Sequence, residues 1–386
     1  MRIVRLANFV APRSGGMRTA LRELGAGYLA AGHEPVLIVP GRRYSDEQTG
    51  QGRVITLRGP RVPSTGGYRV LLGKRRVAAL LEELRPDALE VSDRTTLRWT
   101  GKWARKHNVP AVMVSHESCA ALVNMAVPAI REDLADPLAR RLADALNRAT
   151  ARNYDHVVCT TAWAAAEFER IGAENLLRAP LGVDLDTFTP RPRDGHGDDE
   201  HRDILLVHCG RLSLEKKPER SLTTLATLIG QGLKVRMIVA GDGPLRKRLE
   251  RRAMQQDLPV TFEGFVAGRV ELASLLNTAD IVLAPGPAET FGLAALEALA
   301  CGTPVVVSAE SALPEVVGDA GVSVHGDDLA AGVRALLDRP EADRRARARE
   351  RAEQFGWAAA VQAFLAVHNA GNTDNAQIDR IERTRT

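Results

Sequence analysis

The sequence predicts an α/β protein made of two consecutive Rossmann-like domains, each built around a parallel sheet. Three observations support this fold class. The chain has 386 residues, which is longer than one ordinary hydrophobic core supports. Short β-branched runs alternate with longer Ala-, Leu- and Arg-rich stretches of helical spacing along almost the whole chain. Residues 190–203 are rich in Pro, Gly and charge, and they divide this alternating pattern in two.

The predicted strands are short runs rich in β-branched residues, and their alternation with helices implies parallel sheets that are covered on both faces. The predicted strands are 3–10, 35–40, 53–57, 87–92, 110–115, 156–160 and 176–180 in the first half, and 203–209, 234–240, 259–264, 280–285, 303–308 and 321–325 in the second. In open α/β sheets, ligands bind at the carboxyl ends of the strands. The loops that follow the strands are therefore where functional residues are expected.

The composition predicts where the domains begin and end and in which cellular compartment the protein lies. The linker separates a domain at 1–190 from a second domain at 191–356, and the polar segment 371–386 is predicted to be a disordered tail. No apolar run is long enough to span a bilayer, and the first residues lack the regions of a signal peptide. The four scattered cysteines offer neither a disulfide framework nor a metal site. A cytoplasmic protein is expected.

The first half carries more basic than acidic residues, which suits an anionic acceptor or a membrane surface. An arginine-rich composition without functional meaning is the alternative. Nucleic acid is not an expected partner, because the arginines are dispersed and few aromatic residues lie between them.

Two carboxylates mark the most informative segment, which follows the predicted strand at 280–285. Glu289 stands at the mouth of a predicted helix and Glu297 lies eight residues later, about two turns along it. A carboxylate accepts hydrogen bonds from vicinal hydroxyls, so Glu289 suits a sugar and Glu297 suits a ribose. The alternative for Glu297 is an ordinary helical residue in a salt bridge, although its apolar neighbours leave little exposed helix face.

The start of the same helix is a predicted phosphate site. The helix is expected to begin at residues 290–291, which leaves the amides of Phe291, Gly292 and Leu293 free to bind an anion.

A basic loop follows the predicted strand at 203–209. Arg211 and Lys216 lie in this loop before Pro218, a residue that suits a first helical turn. Two cations there can neutralise a departing diphosphate, whereas a solvated basic loop is the alternative. Gly241, in the turn after the next strand, would let the backbone approach a nucleotide.

These motifs resemble glycosyltransferase family 4, a retaining family with the GT-B fold of two Rossmann-like domains facing across an interdomain cleft. The E-x7-E spacing in ETFGLAALEALACGTPVV resembles the hallmark of the family, and GRLSLEK resembles its Arg and Lys phosphate clamp. LGVDLDTFTP is similar to its hinge segment. FGWAAAVQAFLAVH is similar to its C-terminal helix, which implies that 357–370 crosses back to the N-terminal domain. Lys217 departs from the family, in which glycine often follows the clamp lysine.

The resemblance implies transfer of a hexose from a nucleotide diphosphate sugar to a hydroxyl acceptor, with retention of configuration. The N-terminal domain would bind the acceptor, which is a glycan, a lipid or a small molecule, and the C-terminal domain would bind the donor. GDP-mannose is favoured as donor, with UDP-glucose or another nucleotide sugar as the alternative. Neither a cofactor nor a metal is expected. Asp184 and Asp186 form a D-x-D pattern in the hinge segment, and we interpret it as structural.

The first domain supplies the remaining candidates. Gly15 and Gly16 form a tight loop after the first strand, and in the family this loop lies against the phosphate and sugar of the donor. Arg13 and Arg18 flank it as candidate phosphate or acceptor contacts. His116 follows a predicted strand directly, and the resemblance implies that it contacts the transferred sugar. A buried structural histidine is the alternative.

Two other classes of protein and one membrane hypothesis stay open. An NAD-dependent oxidoreductase would need a glycine fingerprint and a later acidic residue, and neither is convincing here. A periplasmic-type binding protein would need an export signal. The basic helix at 68–85 suits either peripheral contact with the inner face of the plasma membrane or ordinary packing.

Overall fold

The computed structural model describes residues 1–10, 15–62, 67–116, 132–192 and 203–370 of the chain. Its contacts divide it into two compact units. The first is Met1–Leu181 together with the chain from Trp357 onward, and the second is Gly182–Gly356. The predicted tail at 371–386 lies outside the described residues, as does most of the predicted linker.

The first unit is an eight-stranded sheet covered by helices. Its elements are β1 (Arg2–Ala7), α1 (Gly16–Ala30), β2 (Glu34–Gly41), β3 (Ser45–Thr49), β4 (Gly52–Arg58), α2 (Lys74–Leu84), β5 (Ala88–Ser92), α3 (Trp99–Lys106), β6 (Ala111–Ser115), α4 (Glu132–Ala151), β7 (His156–Cys159), α5 (Ala162–Glu169) and β8 (Leu176–Arg178). The strand order is β3-β4-β2-β1-β5-β6-β7-β8. The core on one face packs α2, α3 and α5 against the central strands.

One strand of this sheet is absent from the sequence-based prediction. β3 has the sequence SDEQT and pairs antiparallel with β4, whereas the other described pairings of the sheet are parallel. It lies at the edge of the sheet and is largely exposed, so it needs no apolar alternation. Charged side chains on an edge strand also discourage pairing with another chain.

The second unit is a six-stranded parallel sheet. Its elements are β9 (Ile204–Cys209), a 3-10 turn (Leu214–Lys216), α6 (Glu219–Gly230), β10 (Val235–Ala240), α7 (Arg246–Gln255), β11 (Val260–Gly264), α8 (Arg269–Thr278), β12 (Ile281–Ala284), α9 (Leu293–Ala300), β13 (Val305–Ser308), α10 (Leu313–Val317), a 3-10 turn (Gly318–Ala320), β14 (Gly321–Val324), α11 (Ala330–Leu337) and α12 (Glu341–Glu353). The strand order is β11-β10-β9-β12-β13-β14, with all pairings parallel. Two α/β units with parallel sheets confirm the predicted fold class.

The division between the units lies at Leu181, nine residues before the predicted boundary at 190. The amide of Val183 donates to the carbonyl of Phe355 at 2.7 Å. The guanidinium of Arg349 donates to the carbonyl of Phe188 at 3.0 Å. These bonds attach the predicted hinge segment to the second unit, and sequence composition alone does not reveal them.

The C-terminal helix α13 (Trp357–Ala370) belongs to the first unit, where it packs on α1. Gly27 allows this approach, because a Cβ there would lie 2.2 Å from a methyl carbon of Val361. Further along the helix, His368 Nε2 lies 3.3 Å from Glu90 Oε2. The Glu90 carboxylate also accepts hydrogen bonds from Arg5 and Tyr28 at 2.9 and 2.8 Å. This network is almost fully buried, so its charges are compensated by one another.

Candidate functional site

The strand order of the second unit places its candidate site between β9 and β12. The order of strands along the chain reverses at these two neighbours, and such a switch point opens a crevice at the carboxyl ends of the strands. A pocket lies there, and the loops after both strands and the start of α9 line it. The lining residues are His208, Cys209, Gly210, Lys216, Ala284, Pro285, Gly286, Glu289, Gly292, Ala294, Ala295 and Leu313.

An ion pair joins the two loops. Lys216 Nζ lies 2.5 Å from Glu289 Oε1, and both side chains are partly exposed. Gly286 makes this approach possible, since a Cβ there would lie 3.3 Å from the Lys216 Cα atom. A cation and a carboxylate therefore lie side by side at the crevice.

The cavity at this point has a volume of about 20 Å³, which is enough for one water molecule. A phosphate group is larger than this volume, so the cavity alone does not hold one.

Helix α9 begins at Leu293, later than the predicted start at residues 290–291. Gly292 precedes it with φ of 81°, in the left-handed region that favours glycine. A Cβ at Gly292 would also lie 2.1 Å from a methyl carbon of Leu313. The amides of Ala295 and Leu296 both donate to the Gly292 carbonyl. The first helical amides, those of Leu293 and Ala294, are therefore the ones that face outward from the helix.

Phe291 and Glu297, both predicted to contact the donor, differ in their surroundings. The Phe291 side chain is buried and packs edge-on against Phe355, with 6.1 Å between ring centroids, so it is part of the core. Glu297 is half-buried in α9. Burial, and secondly the Glu297 charge, raise the pKa of the Cys209 thiol to about 12. Glu297 is therefore close to the carboxyl end of β9.

Gly241 has a structural reason to be glycine. A Cβ at this position would lie 1.8 Å from the carbonyl oxygen of Gly210, in the loop after the neighbouring strand β9. The close approach predicted for this turn is thus made by protein backbone. The loop that carries Arg211 and Lys216 is held in place by it.

The loop after β9 accommodates lysine at position 217, where the family often has glycine. This residue has φ of 46°, in the left-handed region, immediately before α6. A glycine would adopt this conformation without strain, whereas lysine does so at a cost of about 1 kcal/mol or more. The loop shape is therefore compatible with either residue.

His208 is a site residue that the sequence reasoning missed. Its Nδ1 lies 2.9 Å from Ser221 Oγ, and its Nε2 is buried without a hydrogen-bond partner among the described residues. The side chain is 3% exposed and lines the pocket beside Lys216. Burial, and secondly the charge of Lys216, lower its pKa to about 4, so the ring is neutral at pH 7. The sequence did contain a signal for this residue, because a histidine stands near the carboxyl end of a predicted strand, two residues before a glycine.

The structure brings three of the predicted residues of the second unit to this pocket. Lys216, Glu289 and Gly292 line the cavity. The lining does not include the other predicted residues of the second unit, which are Arg211, Gly241, Phe291, Leu293 and Glu297.

The predicted residues of the first unit lie at the start of α1 and after the end of β6. Gly15 caps the start of α1, where a Cβ would meet nothing within 4 Å, and Gly16 is the first helical residue. His116 directly follows β6 and is half-buried. Burial lowers its pKa to about 4, with Glu90 opposing this shift and Arg5 adding to it. Arg13 lies outside the described residues.

The D-x-D pattern has a local structural explanation. Asp184 Oδ1 accepts hydrogen bonds from the amides of Asp186 and Thr187, at 3.1 and 3.0 Å. Its other oxygen lies 3.2 Å from the guanidinium of Arg269. Both oxygens are thus used in a turn and an ion pair.

Comparison with known families matches both halves of the chain. Residues 15–182 match the glycosyl transferase 4-like domain, and residues 194–355 match the glycosyl transferases group 1.

Individual proteins agree with this match. The chain is 50% identical over 377 residues to a Mycobacterium tuberculosis protein called GDP-mannose-dependent alpha-(1-6)-phosphatidylinositol dimannoside mannosyltransferase, covering 96% of each chain. Sucrose-phosphate synthase from Thermosynechococcus elongatus has a similar fold, with a TM-score of 0.75, 21% identity and coverage of 95% of this chain and 98% of that one. The Anabaena protein HepE, solved with UDP and glucose, has a TM-score of 0.71 at 19% identity, with coverage of 94% and 98%.

Proposed function

The chain belongs to glycosyltransferase family 4, and on this premise we propose that it transfers mannose from GDP-mannose to a hydroxyl of a phosphatidylinositol-linked glycolipid, with retention of configuration. The observation that carries the proposal is the Lys216–Glu289 pair at the switch point of a parallel sheet. The choice of mannose and of a glycolipid rests on the relative that shares 50% identity.

In the proposed mechanism, Lys216, Arg211 and the amides of Leu293 and Ala294 stabilise the departing diphosphate. The bond between the anomeric carbon and the diphosphate oxygen breaks, while the acceptor oxygen forms its bond on the same face of the sugar. The acceptor proton passes to the diphosphate. Positive groups aimed at developing negative charge are an effective way to lower such a barrier.

The carboxylates have binding roles in this proposal. Glu289 accepts hydrogen bonds from hydroxyls of the hexose, and Glu297 accepts them from the ribose. Gly15, Gly16 and Gly241 contribute backbone next to the donor, as do Phe291 and Gly292. His116 contacts the transferred hexose. Its lowered pKa keeps the ring neutral at pH 7 and able to donate a hydrogen bond.

We propose that transfer needs neither a cofactor nor a metal ion, because Arg211 and Lys216 can supply the positive charge that neutralises the diphosphate. Among the described residues, no group of three or more His, Cys, Asp and Glu side chains is arranged to hold a metal. Activity in excess EDTA should equal that in added Mg²⁺. A loss of activity in EDTA that Mg²⁺ restores would contradict the proposal.

We propose that the reaction takes place at the inner face of the plasma membrane, because a glycolipid acceptor lies in a membrane. Within the described ranges, no helix is long and apolar enough to cross a membrane. The exposed side chains of Leu72 and Tyr44, 60% and 56% accessible, lie close to the basic start of α2, where the Arg76 guanidinium is 5.3 Å from the Tyr44 ring centroid. Apolar and basic side chains exposed together suit the interface of an anionic membrane, and we propose peripheral contact there.

The donor and the acceptor can be tested together. Purified protein is incubated with labelled GDP-mannose or UDP-glucose and with phosphatidylinositol dimannoside in mixed micelles, and the glycolipid product is analysed by NMR. We expect an α-linked mannose from GDP-mannose only. Transfer from UDP-glucose alone would overturn the donor assignment, and an inverted linkage would overturn the mechanism.

A further inference from the structure

Besides the cavity of the second unit, the first unit has a cavity of its own. The residues that line it have no role in the proposed mechanism. Its volume is about 360 Å³, within the range of small-molecule sites. It is lined by Lys74, Thr95, Arg98, Trp99, Lys102 and Asn153. Three of these side chains are cations and none is an acid.

The three cations have no acidic partner among the residues that the structure describes. Other arginines of the same unit are paired, including Arg5 with Glu90 and Arg94 with Glu167. The nearest acid along the chain, Asp93, already accepts hydrogen bonds from the amides of Thr95 and Leu97. Three like charges around one cavity repel one another, and an anion between them would relieve this repulsion.

Trp99 shapes the cavity and holds one of the cations. Lys74 Nζ lies 5.2 Å from the centroid of the Trp99 ring, a distance typical of a cation–π contact. This contact restricts the lysine side chain before a ligand arrives. Less conformational entropy is then lost on binding.

The cavity extends from the starts of two helices, α2 and α3, to Asn153, which precedes β7. Lys74 begins α2, and Trp99 begins α3, the helix that follows β5 after a loop of residues 93–98. Helices that alternate with parallel strands begin at the carboxyl edge of the sheet, where ligands bind. β6, the neighbour of β5, ends at the same edge and is followed by His116.

Resting on the proposed function, we propose that this cavity binds the phosphodiester of the acceptor headgroup. Lys74, Arg98 and Lys102 bind the phosphate, and Trp99 forms a wall beside it. The protein thus recognises a glycan that is attached through phosphate, in addition to the sugar that receives mannose. Hydrogen bonds from cations to phosphate are strong enough to give on the order of tenfold selectivity each.

The test uses deacylated phosphatidylinositol dimannoside as a soluble probe, and the same glycan without phosphate as its match. Binding is measured by isothermal titration for the wild type, for the triple variant Lys74→Ala, Arg98→Ala, Lys102→Ala, and for the control Lys106→Ala. Lys106 is an exposed cation of α3, the helix that carries Lys102, and it does not line the cavity. We expect the wild type and the control to bind the phosphate-bearing probe at least tenfold more tightly than the phosphate-free glycan. The triple variant should lose this difference and keep its melting temperature.

Three results would overturn the proposal. The triple variant could keep the preference for the phosphate-bearing probe. Inorganic phosphate could bind the wild type as tightly as that probe, which would make the cavity a free-phosphate site. Alternatively, the variant could lose only its binding to phosphatidylglycerol vesicles, which would make the cations a membrane contact.

GDP binding is measured in the same samples and should change less than twofold in the triple variant. This readout separates the two proposals. A protein that binds no GDP but still selects the phosphate-bearing probe would contradict the proposed function and leave the cavity assignment standing.

Discussion

At the scale of single residues, the site depends on the pairing of Lys216 with Glu289. The pair is partly exposed and lies at the mouth of a small cavity, so neither side chain supports the core. Each group is therefore held ready for a ligand at little cost to stability, because partly exposed ion pairs contribute little to folding.

Replacement of Glu289 separates catalysis from folding. We expect Glu289→Ala to lower kcat/KM by about 10²- to 10³-fold, as loss of a group that stabilises the transition state does. The melting temperature should change by less than about 2 °C, because the lost pair is partly exposed. Steady-state kinetics and calorimetry measure the two effects, with exposed Glu263→Ala as the control. Full activity in Glu289→Ala would refute the assignment.

His208 makes the stability of the second unit dependent on pH. Burial lowers its pKa from the ordinary value near 6.5 to about 4, so the unfolded chain binds more protons between these values. The contribution of neutral His208 to the free energy of unfolding is fully present above pH 6.5 and is lost as the pH decreases towards 4. Between pH 7 and pH 5, His208 alone should account for a loss of about 2 kcal/mol.

The variant His208→Phe should lack the loss of stability that His208 causes between pH 7 and pH 5. Amide hydrogen exchange along β9 measures it, because these amides report on the second unit. If wild type and variant lost equal protection between pH 7 and pH 5, the histidine would not be responsible.

The sequence predicts some of these residues and not others. Spacing within one loop or one helix identified Lys216 and Glu289, because their roles follow from short segments. The place of His208 in the site and the structural reason for glycine at Gly241 depend on contacts between separate segments, namely with the Ser221 hydroxyl and the Gly210 carbonyl. Such contacts are fixed by the order and register of strands, which no local pattern contains.

At the scale of elements, α9 connects the site to the core. The left-handed Gly292 turns the chain into the helix, and the apolar face of the helix packs against the sheet and α12. The start of the helix is thus fixed in position by its body, and its first amides are preorganised for an anion.

Gly292→Ala tests this connection. A side chain at φ of 81° is strained, and its Cβ would lie 2.1 Å from a Leu313 methyl carbon. We expect a loss of about 2–4 kcal/mol in stability and weaker GDP binding. Gly232→Ala is the matched control, because Gly232 has φ of 83° but nothing within 4 Å of its Cβ. Calorimetry and GDP titration should show a small loss of stability and unchanged binding for the control. Equal effects of the two substitutions would contradict the role of the Leu313 contact.

The sequence-based prediction of elements was wrong at β3 and at the start of α9, where no apolar periodicity marks the element. The apolar strands were found because both of their faces are buried, whereas β3 is polar and lies at the edge. The start of α9 was placed too early because the turn at Gly292 is defined by backbone angles and by Leu313, far along the chain.

At the scale of the whole molecule, the chain leaves the first unit at Leu181 and returns to it at Trp357. The return is fixed by α13, whose His368 joins the buried network around Glu90. The resemblance to the family indicated a returning helix, but the partners of His368 lie hundreds of residues away in sequence and are visible only in the structure.

Removal of this histidine should weaken the first unit selectively. His368→Ala leaves Glu90 with fewer partners and a cavity beside Tyr28, so we expect a loss of about 1–3 kcal/mol. All four tryptophans belong to the first unit, and intrinsic fluorescence during urea unfolding therefore reports on it. GDP binding should be unchanged at low urea. A fluorescence transition identical to that of the wild type would show that His368 does not hold the helix.

A crystal structure with GDP-mannose would show whether the crevice between β9 and β12 binds the diphosphate of a nucleotide sugar. We expect phosphate oxygens within hydrogen-bond distance of Lys216 Nζ and of the Leu293 and Ala294 amides, with Glu289 turned from the lysine towards the hexose hydroxyls. A nucleotide bound elsewhere, with the Lys216–Glu289 pair intact, would contradict it.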